Sequence, residues 1–101
     1  MDVIDFLSTA KRLVKSNNLV VVPRDKNKRT LWMLGISLVD IEETILDLTM
    51  EDFVLGPVED RDYPGENLYI FKTERFDELL YIKLKLENNQ LKCLSFHIDN
   101  I

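Results

Sequence analysis

Two stretches decide the fold: Leu80-Tyr81-Ile82-Lys83-Leu84-Lys85-Leu86 and Lys92-Cys93-Leu94-Ser95-Phe96-His97-Ile98. In the first, even positions are apolar and odd positions carry Tyr81, Lys83 and Lys85. In the second, Leu94, Phe96 and Ile98 share the apolar side, and Cys93, Ser95 and His97 the other. Alternation of this kind marks strands with one face on a core. A two-residue turn at Asn88-Asn89 would pair 87 with 90 and set even residues against odd ones, core against solvent. A three-residue loop, Asn88-Asn89-Gln90, pairs 87 with 91 and aligns Leu84 with Leu94 and Ile82 with Phe96, so the alternation predicts that loop. On the polar face it sets Tyr81 opposite His97, Lys83 opposite Ser95 and Lys85 near Cys93.

Outward from this hairpin, the period of two extends back to Leu68 and predicts three strands, about 68–74, 79–87 and 91–98. Upstream the period changes. Val3, Phe6, Leu7, Ala10, Leu13 and Val14 recur at helical spacing, with Lys11, Arg12 and Lys15 toward the C-terminal end where positive charge suits the helix dipole. Leu19 to Val22 reads as a short edge strand stopped by Pro23, and Arg24 to Arg29 as a basic loop. Thr30 to Leu34 reads as a helical turn closed by Gly35, with Trp32 in the core. Ser37 caps a second clear helix through Leu48, and a short helical turn starts at Thr49. Between Gly56 and Asn67, Pro, Gly and acidic residues predict an exposed loop. The expectation is one domain over residues 1–101, α+β, with N-terminal helices packed on a C-terminal antiparallel β-meander.

The chain has 101 residues, is 46% apolar, and carries thirteen Lys and Arg against eighteen Asp and Glu, a net charge of -5. One core needing no disulfide is expected at this size. Cys93 stands alone, and the sequence has no CxxC pair or His/Cys cluster for zinc, so neither metal nor cofactor is expected. No apolar run reaches the roughly 18 residues of a membrane span, which points to a cytoplasmic protein without membrane contact. The net charge argues against nucleic acid until it is divided along the chain. Residues 1–36 hold seven cations against three acids, residues 37–66 ten acids against Arg61 alone, and residues 67–101 balance. The front third is free to bind phosphate, and the expectation is weak, strongly salt-dependent RNA binding.

The polar face of the hairpin gathers a phenol, an ammonium and the only imidazole. Cutting RNA without a metal requires taking a proton from the 2'-hydroxyl, stabilising charge on the phosphorus and protonating the departing 5'-oxygen. Imidazole exchanges protons near neutrality, so His97 is the candidate proton carrier; Lys83 would hold the phosphate and Tyr81 orient it or share in acid catalysis. Lys85, Ser95, Lys11, Lys15, Arg24 and Arg29 are candidate substrate contacts, and Phe71 or Tyr69 a platform for a base. Cys93 reads as a half-buried filler.

The order Leu7, Lys11, Leu13-Val14, Leu34-Gly35, then Leu48-Thr49-Met50-Glu51-Asp52-Phe53 and Gly56-Pro57, then Leu80-Tyr81-Ile82-Lys83-Leu84 and Cys93-Leu94-Ser95-Phe96-His97 resembles the MqsR-type toxins of bacterial type II toxin-antitoxin modules. The resemblance implies a RelE-like ribonuclease toxin fold, metal-independent cleavage of messenger RNA, free or on the ribosome, and neutralisation by a cognate antitoxin. Tyr81 and Lys83 match the family's tyrosine-x-lysine strand, and His97 stands where the family has a basic residue beyond Ser-Phe. Leu55 replaces a lysine of some members, and Ile70 stands near an expected polar position. A reading from a different class is a non-catalytic interaction protein whose acidic segment 37–66 occupies a basic partner as a nucleic-acid mimic.

Overall fold

The computed structural model describes residues 1–100. In chain order the elements are α1 (Val3–Lys15), β1 (Leu19–Val21), α2 (Asp25–Leu34), α3 (Leu38–Leu46), a 3-10 turn (Met50–Asp52), β2 (Phe53–Glu59), β3 (Asn67–Arg75), β4 (Glu78–Glu87) and β5 (Gln90–Ile98). One five-stranded sheet has the order β1-β5-β4-β3-β2, antiparallel except that β1 runs parallel to β5. Helices therefore lead and the sheet follows, as the change of period requires. Two expectations are corrected. Phe53–Glu59, half of which falls in the expected loop, is an edge strand, and the basic loop is the first half of α2.

Helix ends follow local chemistry. The Asp2 carboxylate accepts the Asp5 N–H at 2.9 Å to start α1, and Asp40 accepts the Ser37 N–H at 2.9 Å to start α3. Gly35 ends α2 with φ 64°, a left-handed conformation that glycine takes without a side-chain penalty. At Gly56 the constraint is space, since a Cβ there would lie 2.9 Å from the Leu68 carbonyl oxygen on β3.

α1 and α3 cover one face of the sheet. Phe6, Ala10 and Leu13 of α1 and Ile41 and Ile45 of α3 pack with Phe71, Leu80, Ile82, Leu84 and Phe96. Phe6 stacks on Tyr69 with ring centroids 3.8 Å apart. Tyr69 and Phe71 are thus core residues and offer a base no platform. Trp32, expected inside, is 83% exposed, because α2 lays Asn27 and Thr30 against the sheet and turns the indole away.

The β4–β5 register corrects the expected three-residue loop. Glu87 pairs with Gln90 across a two-residue turn in which Asn88 and Asn89 have φ 51° and 59°. Consecutive positive φ values suit the twist of a tight hairpin, and asparagine tolerates them. The parity conflict is absorbed by a β-bulge: Leu84 pairs with Cys93 and Lys83 with Ser95, leaving Leu94 as the extra residue. Beyond the bulge Tyr81 faces His97 and Ile82 faces Phe96, as expected; before it, Lys85 meets Lys92 rather than Cys93. The bulge also turns Cys93 into the core, fully buried, where desolvation pushes its thiol up to about 12.

β1 pairs only with Leu91 to Cys93, so the rest of β5 has an open edge. α2 closes it with two buried side chains one turn apart. Asn27 Nδ2 donates to the Leu94 carbonyl at 3.1 Å and to the Val22 carbonyl at 2.9 Å, Asn27 Oδ1 accepts the Phe96 N–H at 2.9 Å, and the Thr30 hydroxyl accepts the Ile98 N–H at 3.2 Å. A helix thus supplies the hydrogen bonds a neighbouring strand would make.

Lys85 is only 3% exposed, beneath the β2–β3 connection. Its ammonium lies 3.1 Å from Asp60, 3.3 Å from Glu66 and 3.4 Å from Glu87, with the Tyr63 ring centroid 4.2 Å away. Glu87 also reaches Lys92 at 3.5 Å, which offsets the repulsion of the paired lysines. Hydrogen bonding from the Asp62 backbone and from Lys85 outweighs desolvation and holds the Asp60 carboxyl below its usual range. At Glu87 desolvation opposes ionisation, but Lys85 and Lys92 prevail and lower it. For Lys85 desolvation is outweighed by the three carboxylates, which raise it.

Two outcomes follow from these contacts. Asn27→Ala removes the side-chain partners of the Leu94 carbonyl and the Phe96 N–H, while the Val22 carbonyl keeps the Arg24 N–H at 2.8 Å, and should cost about 3 kcal/mol, lowering Tm by roughly 15 °C; a loss below about 1 kcal/mol would contradict the edge-closing role. Depressed carboxyls contribute stability above their ordinary pKa and lose it as pH falls, so the Tm difference between wild type and Lys85→Met should shrink on titration from about pH 6 to 3. A constant difference would show that the carboxylates do not act through Lys85.

Candidate active site

The face of the sheet away from α1 and α3 carries a cleft of about 630 Å³ at the junction of β4, β5 and the start of α2. Tyr81 and Lys83 of β4 and Ser95 and His97 of β5 line its floor; Arg24, Asp25, Lys26 and Asn27 form one wall, and Asp99 and Asn100 one end. Alternation brings the floor residues to one face, and the bulge keeps them in pairs although the turn is one residue shorter than expected.

Tyr81 and His97 are stacked, with ring centroids 5.3 Å apart and planes 17° off parallel. His97 Nδ1 is 3.0 Å from the Ile98 carbonyl oxygen. A neutral ring that donates Nδ1–H there keeps the Nε2 lone pair for a substrate proton. Lys83 is partly buried; desolvation lowers its pKa, and the Arg24 guanidinium lowers it further. Leu55 pairs with Ile70 and Ile70 with Lys83, so the two positions that depart from the resembled pattern lie beside the lysine, across three strands. An apolar flank of this kind adds to desolvation and leaves the ammonium with few internal partners.

A second groove continues across the same face. Tyr81 and Lys83 belong to both, and its far side is built by Val58, Glu59, Arg61 and Asp62 around Ile70. Together the two form a track running from α2 to the β2–β3 connection. Among the described residues no cluster of three or more His, Cys, Asp or Glu is arranged to hold a metal ion.

The structure brings together Tyr81, Lys83, Ser95, His97 and Arg24 from the residues singled out by sequence. It does not bring in the other four. Lys85 is enclosed by Asp60, Glu66 and Glu87. The Lys11 ammonium donates to the Leu48 carbonyl and ties α1 to the end of α3 on the opposite face of the sheet. Lys15 belongs to that same helix, and Arg29, one turn along α2, does not line the cleft. Lys26 and Asn27 are the residues sequence reading missed. Their signal was the spacing of Asn27 and Thr30, which reads as a buried polar pair only once 24–34 is taken as a helix.

The acidic segment 37–66 is dispersed into local roles. Asp40 and Asp52 accept backbone N–H groups at helix starts, Asp47 pairs with Arg75 at 2.7 Å, and Asp60 and Glu66 enclose Lys85. Half of its ten acids are therefore engaged within the fold. No helix is long and apolar enough to cross a membrane.

No curated protein matches the chain. Residues 5–98 match the family model described as motility quorum-sensing regulator, toxin of MqsA. That span includes all five strands and every residue on the cleft floor. The chain accordingly belongs to this toxin family, the toxin half of a toxin-antitoxin pair whose partner is MqsA.

Proposed function

We propose that the protein is a metal-independent endoribonuclease that cleaves messenger RNA, free or on the ribosome, through Tyr81, Lys83 and His97. The observation that carries this reading is the stacked Tyr81–His97 pair beside a partly buried Lys83 in one cleft. The family supports it by placing the chain among toxins.

In this scheme His97 Nε2 takes the proton of a ribose 2'-hydroxyl. The 2'-oxygen then bonds to phosphorus, and the phosphorus–O5' bond breaks as the departing oxygen gains a proton from the Tyr81 hydroxyl. Lys83 neutralises the charge that builds on the non-bridging oxygens, and a lysine with few internal partners is free to do so. The stack holds the two proton-transfer groups side by side, which lowers the entropy cost of assembling them around the substrate. In this reading MqsA, the partner that the family names, silences the activity on binding. The dispersal of the acids in 37–66 disfavours the nucleic-acid mimic.

In EDTA at neutral pH, His97→Ala and Tyr81→Phe should each lower the cleavage rate by about 10²–10⁴-fold, and Lys83→Ala by about 10²–10³-fold. Retention of wild-type rates in all three folded variants would refute the assignment. Binding of an uncleavable oligonucleotide should weaken with salt at a log–log slope of about -2, corresponding to roughly three phosphates neutralised; a slope near zero would exclude Arg24, Lys26 and Lys83 as phosphate contacts.

A further inference from the structure

We propose that the open N-terminus of α2, with Arg24 and the Ser95 hydroxyl, is a seat for a backbone phosphate of single-stranded RNA, the one next to the phosphate being cleaved. α1 and α3 begin with a carboxylate accepting a backbone N–H. α2 begins with Arg24, a side chain that can only donate, and it has no side-chain cap. The first hydrogen bond of this helix is from the Lys28 N–H to the Arg24 carbonyl at 3.0 Å, so the N–H groups of Asp25, Lys26 and Asn27 have no acceptor among the described residues. Those residues line the cleft.

The second observation is independent of the helix. Ser95 is only 4% exposed, lines the same cleft from β5, and its hydroxyl makes no hydrogen bond to any described residue. The enclosed side-chain oxygen without a hydrogen bond among the described residues is Glu66 Oε1, so the Ser95 hydroxyl opens onto the cleft, where a ligand oxygen can reach it. The charges around it agree. Arg24 and Lys26 add full positive charge at the positive end of a helix, where a carboxylate would ordinarily stand, and Lys83 lies opposite Ser95 in the ladder. Asp25 is the one acid lining the cleft without a cationic partner, because Asp99 is tied to Lys72 at 2.9 Å. Backbone N–H donors, a hydroxyl and a guanidinium lining one cleft suit a phosphate, whose several oxygens can accept from more than one of them.

The seat's place along the strand sets its relation to the chemistry. Ser95 precedes His97 by two residues, roughly 7 Å along β5, so a phosphate at Ser95 flanks one placed at the polar edges of the stacked Tyr81 and His97 rings. The groove running on past Tyr81 and Lys83 gives a chain room on that side, with Arg61 as its cation among Glu59, Asp60 and Asp62. The identity of the ligand as RNA rests on the ribonuclease reading; the anion seat itself does not.

Backbone amide NMR of the full chain, titrated separately with inorganic phosphate and with a single-stranded oligodeoxynucleotide, tests the seat. The oligodeoxynucleotide lacks the 2'-hydroxyl and is not cut. The expected result is saturable movement of the Asp25, Lys26 and Asn27 amide signals with both probes, tighter for the oligonucleotide, and about tenfold weaker binding in Ser95→Ala and in Arg24→Gln. Unmoved amides, or unchanged affinity in both variants while Tyr81 and His97 signals respond, would overturn the seat and leave the ribonuclease reading standing. Movement of these amides in a protein that cuts no RNA would sustain the anion seat and remove the ribonuclease reading.

Discussion

Two strands that both bury their even-numbered side chains cannot be joined by a two-residue turn without setting the core face of one against the solvent face of the other. This chain has such a turn, and one extra residue, Leu94, resolves the conflict. Much of the structure depends on that bulge. It sends Leu91 and Cys93 into the core with Ile82 and Phe96, and it preserves the pairing of Tyr81 with His97 and Lys83 with Ser95. It also supplies the carbonyl of Leu94 to Asn27, which fixes the beginning of α2 beside the paired residues. The register of the hairpin and the wall of the cleft are consequences of one insertion.

The same geometry explains which features were legible in the sequence. Period-two alternation is a statement about burial, so the pairing far from the turn could be read from it. The turn could not, because the alternation argument assumes uninterrupted pairing, whereas here two left-handed asparagines make a tight turn and a bulge restores the parity. α2 was legible only in its apolar half. Its first half is dense in charge and buries Asn27 and Thr30, whereas the usual helix signal is an apolar stripe. Trp32 was misplaced for the same reason: the helix gives its buried face to polar residues that complete a sheet edge.

Charge is organised by position rather than total. Lys85 looks in sequence like a third member of the Tyr81, Lys83 row, but three carboxylates enclose it and make it an anchor for the β2–β3 connection. Lys83, two residues earlier, has Leu55 and Ile70 along its strand register and no ion pair of its own among the described residues, with Asp60 and Asp62 acting on it only from a distance. Neighbouring lysines on one strand thus receive different environments, one enclosed by three carboxylates and one partly buried without an ion pair. An overall charge of -5 is compatible with a phosphate-binding cleft because half the acids of the 37–66 segment are spent on helix starts, Arg75 and Lys85.

The claim that this face cuts RNA through its own 2'-hydroxyl is tested most directly by the ends of the fragments. RNA incubated with the purified protein in EDTA should carry 2',3'-cyclic phosphates and 5'-hydroxyls, the products that follow when the 2'-oxygen displaces O5' with proton transfers by His97 and Tyr81. Fragments ending in 3'-hydroxyls and 5'-phosphates, or intact RNA from a folded, antitoxin-free protein, would contradict it.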